Sequence, residues 1–350
     1  MSQRFVTCAH CRLPHEEGSA RCPFTGPPLD PGAPFVAPPE GEHAGRTLGG
    51  RYALRERIGE GGMGAVYVAL DTALGREVAV KLLLGREALS ASRFAREARA
   101  AAAVRHEHVI TLHDAGALDD GTPFLVMERL EGESLDRRIA AGPVELADAL
   151  AIASQLLAGL EAVHRAGIVH RDVKPANVFL VRGEGLHVKL LDFSVAKIAD
   201  ASRLTRSGEV VGTPRYLSPE QARGAPFGPQ ADVWSVGVVL YELLTGRRPF
   251  EADTLAALVT SILLDEPAPP STHRPELPPA VDRVLALALA KDPRDRYESA
   301  AAMRIALAKI ARYAGADTVT DAVSSGAATL PRWIEPTTLV DDAPPDPGDA

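Results

Sequence analysis

The chain has 350 residues, 46% hydrophobic and 24% charged, enough for a sizeable core and one large domain with appendages. Its net charge is −8, but seven acids against the single base Arg332 place −6 of it between Gly315 and Ala350. The near-neutral remainder argues against general nucleic-acid or anionic-membrane binding. All three cysteines precede residue 23, which excludes a disulfide framework in the body. No run approaches the roughly 18 apolar residues of a membrane span. The start, MSQRFVTCAHC, lacks the apolar core of a signal peptide. A cytoplasmic protein is the expectation.

In chain order, residues 1–30 hold Cys8-Ala-His-Cys11, the C-x₂-C spacing of a zinc knuckle. A second knuckle opens at Cys22, but Thr25 stands where a fourth cysteine would, and His15 is the substitute ligand. A zinc-ribbon-like segment with one structural Zn²⁺ on Cys8, Cys11, Cys22 and His15 is one reading; a decayed ribbon without metal is the other. Residues 31–48 are rich in Pro and Gly and read as a linker. Strands are predicted over Arg51–Ile58, Ala65–Leu70, Glu77–Leu84 and Phe124–Glu128, with one helix, Ala91–Val104, among them. From Leu146 the pattern turns helical: Leu146–Arg165, Ala231–Leu244, Leu255–Leu264, Ala280–Ala290 and Ser299–Tyr313. Residues 314–350 show no sustained amphipathic period and are expected to be disordered. The class is α+β, a small sheet lobe followed by a larger helical lobe, with a cleft between them suited to a ligand.

Three segments carry chemistry. Gly59, Gly61 and Gly64 form G-x-G-x-x-G, followed by Val66; glycines let a backbone approach a polyphosphate closely. A dinucleotide-binding loop would open a helix, whereas here a strand follows. Val78-Ala-Val-Lys81 ends an apolar strand on a lysine, a costly placement unless an anion waits for it. Finally His170-Arg-Asp-Val-Lys-Pro-Ala-Asn177 and Leu190-Leu-Asp-Phe-Ser194 bring Asp172, Lys174, Asn177 and Asp192 within 21 residues. Two carboxylates and an amide oxygen suit Mg²⁺, a hard cation that leaves positions for phosphates.

Together these motifs resemble the eukaryotic-type (Hanks-type) Ser/Thr protein kinase family in its bacterial branch. The match extends to Ser218-Pro-Glu220, Asp232-Val-Trp-Ser235 and Lys291-Asp-Pro-Arg-Asp-Arg296. It covers residues 49–313, with a small lobe at about 49–128 and a large one at about 131–313. The resemblance implies a two-lobed kinase fold, ATP and Mg²⁺ as cofactors, and protein Ser/Thr hydroxyls as substrates. Lys81 would hold the α- and β-phosphates and pair with Glu97. Asp172 would accept the substrate proton, and Asn177 and Asp192 would ligate Mg²⁺. Met127 takes the gatekeeper place, with Glu128 to Leu130 as the hinge, and Ile58, Val66, Ala79 and Phe179 would enclose the base. Lys174 and Thr213 resemble the Ser/Thr rather than the Tyr branch. Glu220 and Arg296 resemble a structural ion pair.

Two residues depart from the family pattern: Ser194 replaces the glycine of D-F-G, and Ser218 the alanine of A-P-E. Thr205 and Ser207 lie where bacterial relatives autophosphorylate, with Arg171 and Lys197 as cations to receive a phosphate. In the tail, Thr318-Val-Thr-Asp321 and Thr338-Leu-Val-Asp341 resemble phosphothreonine motifs read by forkhead-associated domains. The rival reading is a pseudokinase scaffold that binds nucleotide and partners. The complete set Lys81, Glu97, Asp172, Asn177 and Asp192 weighs against it.

Overall fold

The computed structural model describes residues 5–7, 14–16, 43–61, 64–83, 91–118, 120–183, 185–192 and 214–325. Two short strands at the head, β1 (Phe5–Thr7) and β2 (Pro14–Glu16), pair antiparallel. The small lobe is a six-stranded antiparallel sheet of β3 (Thr47–Leu48), β4 (Tyr52–Gly61), β5 (Gly64–Asp71), β6 (Arg76–Leu82), β7 (Leu112–Ala117) and β8 (Pro123–Glu128). Its spatial order is β3-β4-β5-β6-β8-β7. The helix α1 (Ala91–Ala103) runs beside it.

Period-2 alternation assigns the two sheet faces to two cores. Val78, Val80, Leu82, Phe124 and Val126 pack with Leu54, Tyr67 and Ala69 on the outer face. Ala79, Leu125 and Met127 point the other way and join Phe94, Ala98 and Ala101 of α1 in a core continuous with the large lobe. That inner face is therefore the roof of the cleft.

The large lobe contains β9 (Gly132–Ser134), α2 (Leu135–Ala140), α3 (Leu146–Arg165), β10 (Val178–Val181), β11 (His187–Leu190), α4 (Pro219–Ala222), α5 (Gln230–Thr245), α6 (Leu255–Leu264), α7 (Pro279–Ala288) and α8 (Ala300–Ser325). A three-stranded ribbon of order β11-β10-β9 forms the cleft floor. In α5 every residue from Ala231 to Thr245 is buried, so it is enclosed on all sides rather than amphipathic. Among the described helices only α3 is long and apolar enough to cross a membrane; here its buried residues, Leu150, Leu156, Leu157 and Leu160 among them, pack in the core.

Several boundaries differ from the sequence reading. The linker assigned to 31–48 ends in a strand, because Leu48 is buried beside Tyr52 in the β3–β4 ladder. Residues 314–325, expected to be disordered, are helical instead, since α8 continues to Ser325; residues 326–350 lie outside the described residues. The Ala-rich stretch after Tyr313 has no proline before Pro331, and alanine is the best helix former. Thr318 and Asp321 thus lie within a helix; Thr338 and Asp341 are outside the described residues.

Candidate active site

Strand register builds the roof of the site. Gly59 pairs with Val66, and Val66 with Lys81, across three neighbouring strands; directly opposed residues share a sheet face. Ala79 is two residues before Lys81 and pairs with Met127. Gly59, Val66, Ala79, Lys81 and Met127 therefore share the inner face. Ile58 is half exposed near the edge of the sheet, at 52%. Gly61 and Gly64 pair across the turn. At Gly64, φ is +143° and a Cβ would come within 1.8 Å of the Leu82 carbonyl oxygen, so only glycine lets β5 return this close to β6. Phe179 stands on β10 in the floor, and Leu130 packs against the main core between the lobes.

Asp192 follows β11. The Lys81 ammonium donates to its Oδ2 at 2.6 Å, which satisfies the buried end of the apolar strand. Glu97 is placed on α1, but its side chain lies outside the described residues. Asp192 has φ +50°, a left-handed conformation uncommon for a non-glycine residue. Its neighbour Leu191 is held at both ends: its N–H donates to the Asn177 carbonyl at 2.8 Å, and its carbonyl accepts from His170 Nε2 at 2.8 Å.

Asp172 gathers the remaining groups. Lys174 Nζ donates to its Oδ2 at 2.9 Å. Asn177 Nδ2 donates to the same oxygen at 3.0 Å and to the Asp172 carbonyl at 2.8 Å. The amide nitrogen is thereby committed, leaving the amide oxygen as the Asn177 atom suited to a hard cation. Among the described residues no group of three or more His, Cys, Asp or Glu side chains forms a metal cluster.

The loop before Asp172 is strained and anchored from below. Arg171 has φ +71°. Asp232, fully buried on α5, accepts from the backbone N–H of His170 and of Arg171, each at 2.8 Å, and pairs with His164 Nε2 at 2.7 Å. Charge-assisted bonds of this kind are about twice as strong as neutral ones, so they offset the local strain. Gln221 adds a bond from Nε2 to the Arg171 carbonyl at 3.2 Å. The Asp232-Val-Trp-Ser235 motif is visible in the sequence, but its partners 62 and 68 residues earlier are not. The Arg171 guanidinium lies over the Phe227 ring, and its buried Nε has no hydrogen-bond partner among the described residues.

Below the site, Pro214–Tyr216 forms a turn of 3₁₀ helix. Ser235 Oγ donates to the Tyr216 carbonyl at 2.8 Å, and the Tyr216 hydroxyl to Glu242 at 2.6 Å. Burial and the Glu242 carboxylate push the Tyr216 phenol far above its ordinary range. Ser218, the departure from A-P-E, caps α4 in a capping box with Gln221, a role alanine could not fill. Thr205, Ser207, Thr213, Ser194, Lys197 and the cysteines Cys8, Cys11 and Cys22 lie outside the described residues. His15 is on β2, opposite Val6.

Residues 52–306 match the family model described as the protein kinase domain. Serine/threonine-protein kinase PksC of Streptomyces coelicolor is 44% identical over 281 residues, covering 76% of this chain and 50% of that protein. Serine/threonine-protein kinase pkn3 of Myxococcus xanthus is 40% identical over 282 residues, covering 77% of this chain and 52% of that one. The chain thus spans about half the length of the curated relatives it matches. The crystal structure of Rad53 1-466 in complex with AMP-PNP has a TM-score of 0.62 at 25% identity, over 73% of this chain and 64% of that chain.

Proposed function

This chain belongs to the protein kinase family, in its bacterial Ser/Thr branch, and from that premise we propose that it transfers the γ-phosphate of ATP to Ser or Thr hydroxyls of proteins, its own loop included. The observation that carries the proposal is the meeting of Asp172, Lys174 and Asn177 in one hydrogen-bonded group, with Lys81 on Asp192 across the cleft. A pseudokinase scaffold has no need of all these groups, and no observation favours that reading.

In this scheme Asp172 orients the substrate hydroxyl and accepts its proton as the oxygen bonds to the γ-phosphorus and the bridging bond to ADP breaks. Lys174, held on Asp172, neutralises charge that develops on the transferring group. Lys81 exchanges part of its bond with Asp192 for the α- and β-phosphates. Asp192 and the Asn177 amide oxygen would hold Mg²⁺, which supplies charge neutralisation at the phosphates. Ile58, Val66, Ala79 and Phe179 enclose the base, with Met127 behind it and Glu128 to Leu130 offering backbone groups at the hinge.

Phosphate on Thr205 or Ser207 would pair with Arg171 and Lys197 and so order the loop. Incubation with Mg-ATP followed by phosphosite mapping should find phosphate on one or both. The Thr205→Ala/Ser207→Ala variant should lose at least tenfold in activity on an added protein, about 1.4 kcal/mol. Full activity in that variant, with no phosphate on either site in wild type, removes the switch.

In the head, the β1–β2 pairing supports a hairpin whose connection carries Cys8 and Cys11. A zinc ion on Cys8, Cys11, Cys22 and His15 would staple it. Metal analysis of the full chain from zinc-replete cells should give about one zinc per chain, lost in Cys8→Ser/Cys11→Ser. A metal-free wild type under reducing conditions contradicts the site. The Thr338-Leu-Val-Asp341 segment is proposed as a ligand for a phosphothreonine-reading domain.

A further inference from the structure

Glu128 ends β8 at the hinge, and its carboxylate ties together three segments. Its Oε1 accepts from the Thr111 N–H and from the Lys189 ammonium, each at 2.7 Å. The Glu128 N–H donates in turn to the Thr111 carbonyl at 3.0 Å. The Lys189 and Glu128 side chains are only 12% and 24% exposed. Burial alone would raise the Glu128 carboxyl, but Lys189 and the Thr111 N–H outweigh it and hold the group below its ordinary range. The tie therefore persists to lower pH than an ordinary glutamate would keep it.

Lys189 also occupies a particular place in the cleft floor. In the ribbon it stands directly opposite Phe179, and Phe179 stands opposite Ser134. Opposed residues share a face, so Lys189 rises from the same face as the ring beneath the base. The β11 backbone is pinned on either side of Lys189: the Leu190 N–H donates to the His108 carbonyl at 2.9 Å and the Leu190 carbonyl accepts from the Ile110 N–H at 3.0 Å, while the Val188 N–H donates to Gln155 Oε1 at 2.8 Å. A shift of this strand would therefore move as one piece with the floor.

We propose that Lys189, acting through the Glu128 carboxylate, is a nucleotide-positioning residue that fixes the spacing between the ribbon under the base and the hinge beside it. This rests on reading Glu128 to Leu130 as the base-binding hinge. A bound base must stack on the ribbon and meet hinge backbone groups at once. Both contacts need a set distance between β10–β11 and the end of β8, and the Lys189–Glu128 bond spans that gap. Apolar substitution at residue 189 removes the link and leaves a carboxylate short of one donor.

The test is binding of mant-ADP in EDTA, beside steady-state transfer. Lys189→Met should weaken mant-ADP about tenfold and raise KM for ATP by a similar factor, the scale of one coupled pair. The kcat should stay within about threefold, because the reacting groups are untouched. Lys189→Arg should restore affinity. Glu128→Gln should weaken binding comparably, and combining it with Lys189→Met should add little. Unchanged mant-ADP affinity in folded Lys189→Met, with only a lower Tm, would mark the pair as merely structural and overturn the proposal. Fully additive losses would overturn it too. A wild type that binds mant-ADP but transfers no phosphate sinks the kinase reading and leaves this test standing; one that binds no mant-ADP sinks both.

Discussion

Asp172→Asn should lower phosphoryl transfer by about 10²–10⁴-fold, the range for losing a positioned general base. The substitution keeps shape but removes the charge that faces Lys174 at 2.9 Å and Asn177 at 3.0 Å. An asparagine cannot take the hydroxyl proton. Its amide also removes the countercharge that Asp172 offers the Lys174 ammonium, so the local charge at the transferring group becomes more positive. The fold should survive, because the loop is anchored through backbone groups. Asp232 holds the His170 and Arg171 N–H groups, and Asn177 holds the Asp172 carbonyl. Transfer rates and circular dichroism on the same sample check both halves. A folded Asp172→Asn with more than a tenth of wild-type turnover would show that the proton goes elsewhere.

The largest expected effect on stability comes from Glu220→Ala. Arg296 Nη1 and Nη2 each donate to one Glu220 oxygen at 2.7 Å, with side-chain exposures of 0% and 6%. The guanidinium further bonds the carbonyls of Ala290, Gln230 and Lys291, and it lies over the Trp234 ring at 5.0 Å. These acceptors use all five guanidinium donors. Removing the carboxylate strands a buried charge, a loss of about 3–5 kcal/mol. For a domain of this size that corresponds to a Tm lower by roughly 6–20 °C. Replacing both partners, Glu220→Leu with Arg296→Met, should recover only part of the loss: the stranded charge is gone, but the carbonyls of Ala290, Gln230 and Lys291 lose their donor. A single Glu220→Ala variant within about 1 kcal/mol of wild type would contradict the assignment of the pair as the anchor of the large lobe.

The motif residues and the strongly periodic elements were legible from sequence alone. Leu146–Arg165 and Leu255–Leu264 appear with the bounds expected of them, because each carries a long apolar pattern with clear limits. The strand β7 was missed: Leu-His-Asp-Ala-Gly-Ala has little strand propensity, and it forms by pairing with β8 across a bulge between Leu112 and Asp114. The helix α2 was too short, at six residues, to show a period. In the site, Lys81 and Asp192 were each marked as functional, but their direct bond across 111 residues was not. Glu128 was read for its backbone, and the register that sets Lys189 beside Phe179 is a property of the ribbon. Long-range partners of this kind depend on packing that no local pattern encodes.

Ser194 stands two residues after Asp192, in the place of the D-F-G glycine. Glycine at that place would tolerate φ > 0 freely, whereas serine narrows the backbone and can hydrogen-bond locally. The preceding Asp192 already sits at φ +50°, held by Lys81 and by the anchored Leu191. Ser194 itself lies outside the described residues; the expectation is that serine there biases the segment toward the conformer that keeps Asp192 facing Lys81.

The central claim is that this cleft moves phosphate from ATP to protein hydroxyls. Its most direct test is to incubate the purified chain and an added protein with Mg-[γ-³²P]ATP, then identify the labelled amino acids after acid hydrolysis. Label on phosphoserine and phosphothreonine, absent with Asp192→Asn, is the predicted result. No incorporation by a folded wild type that still binds nucleotide, or label confined to phosphotyrosine, would contradict it.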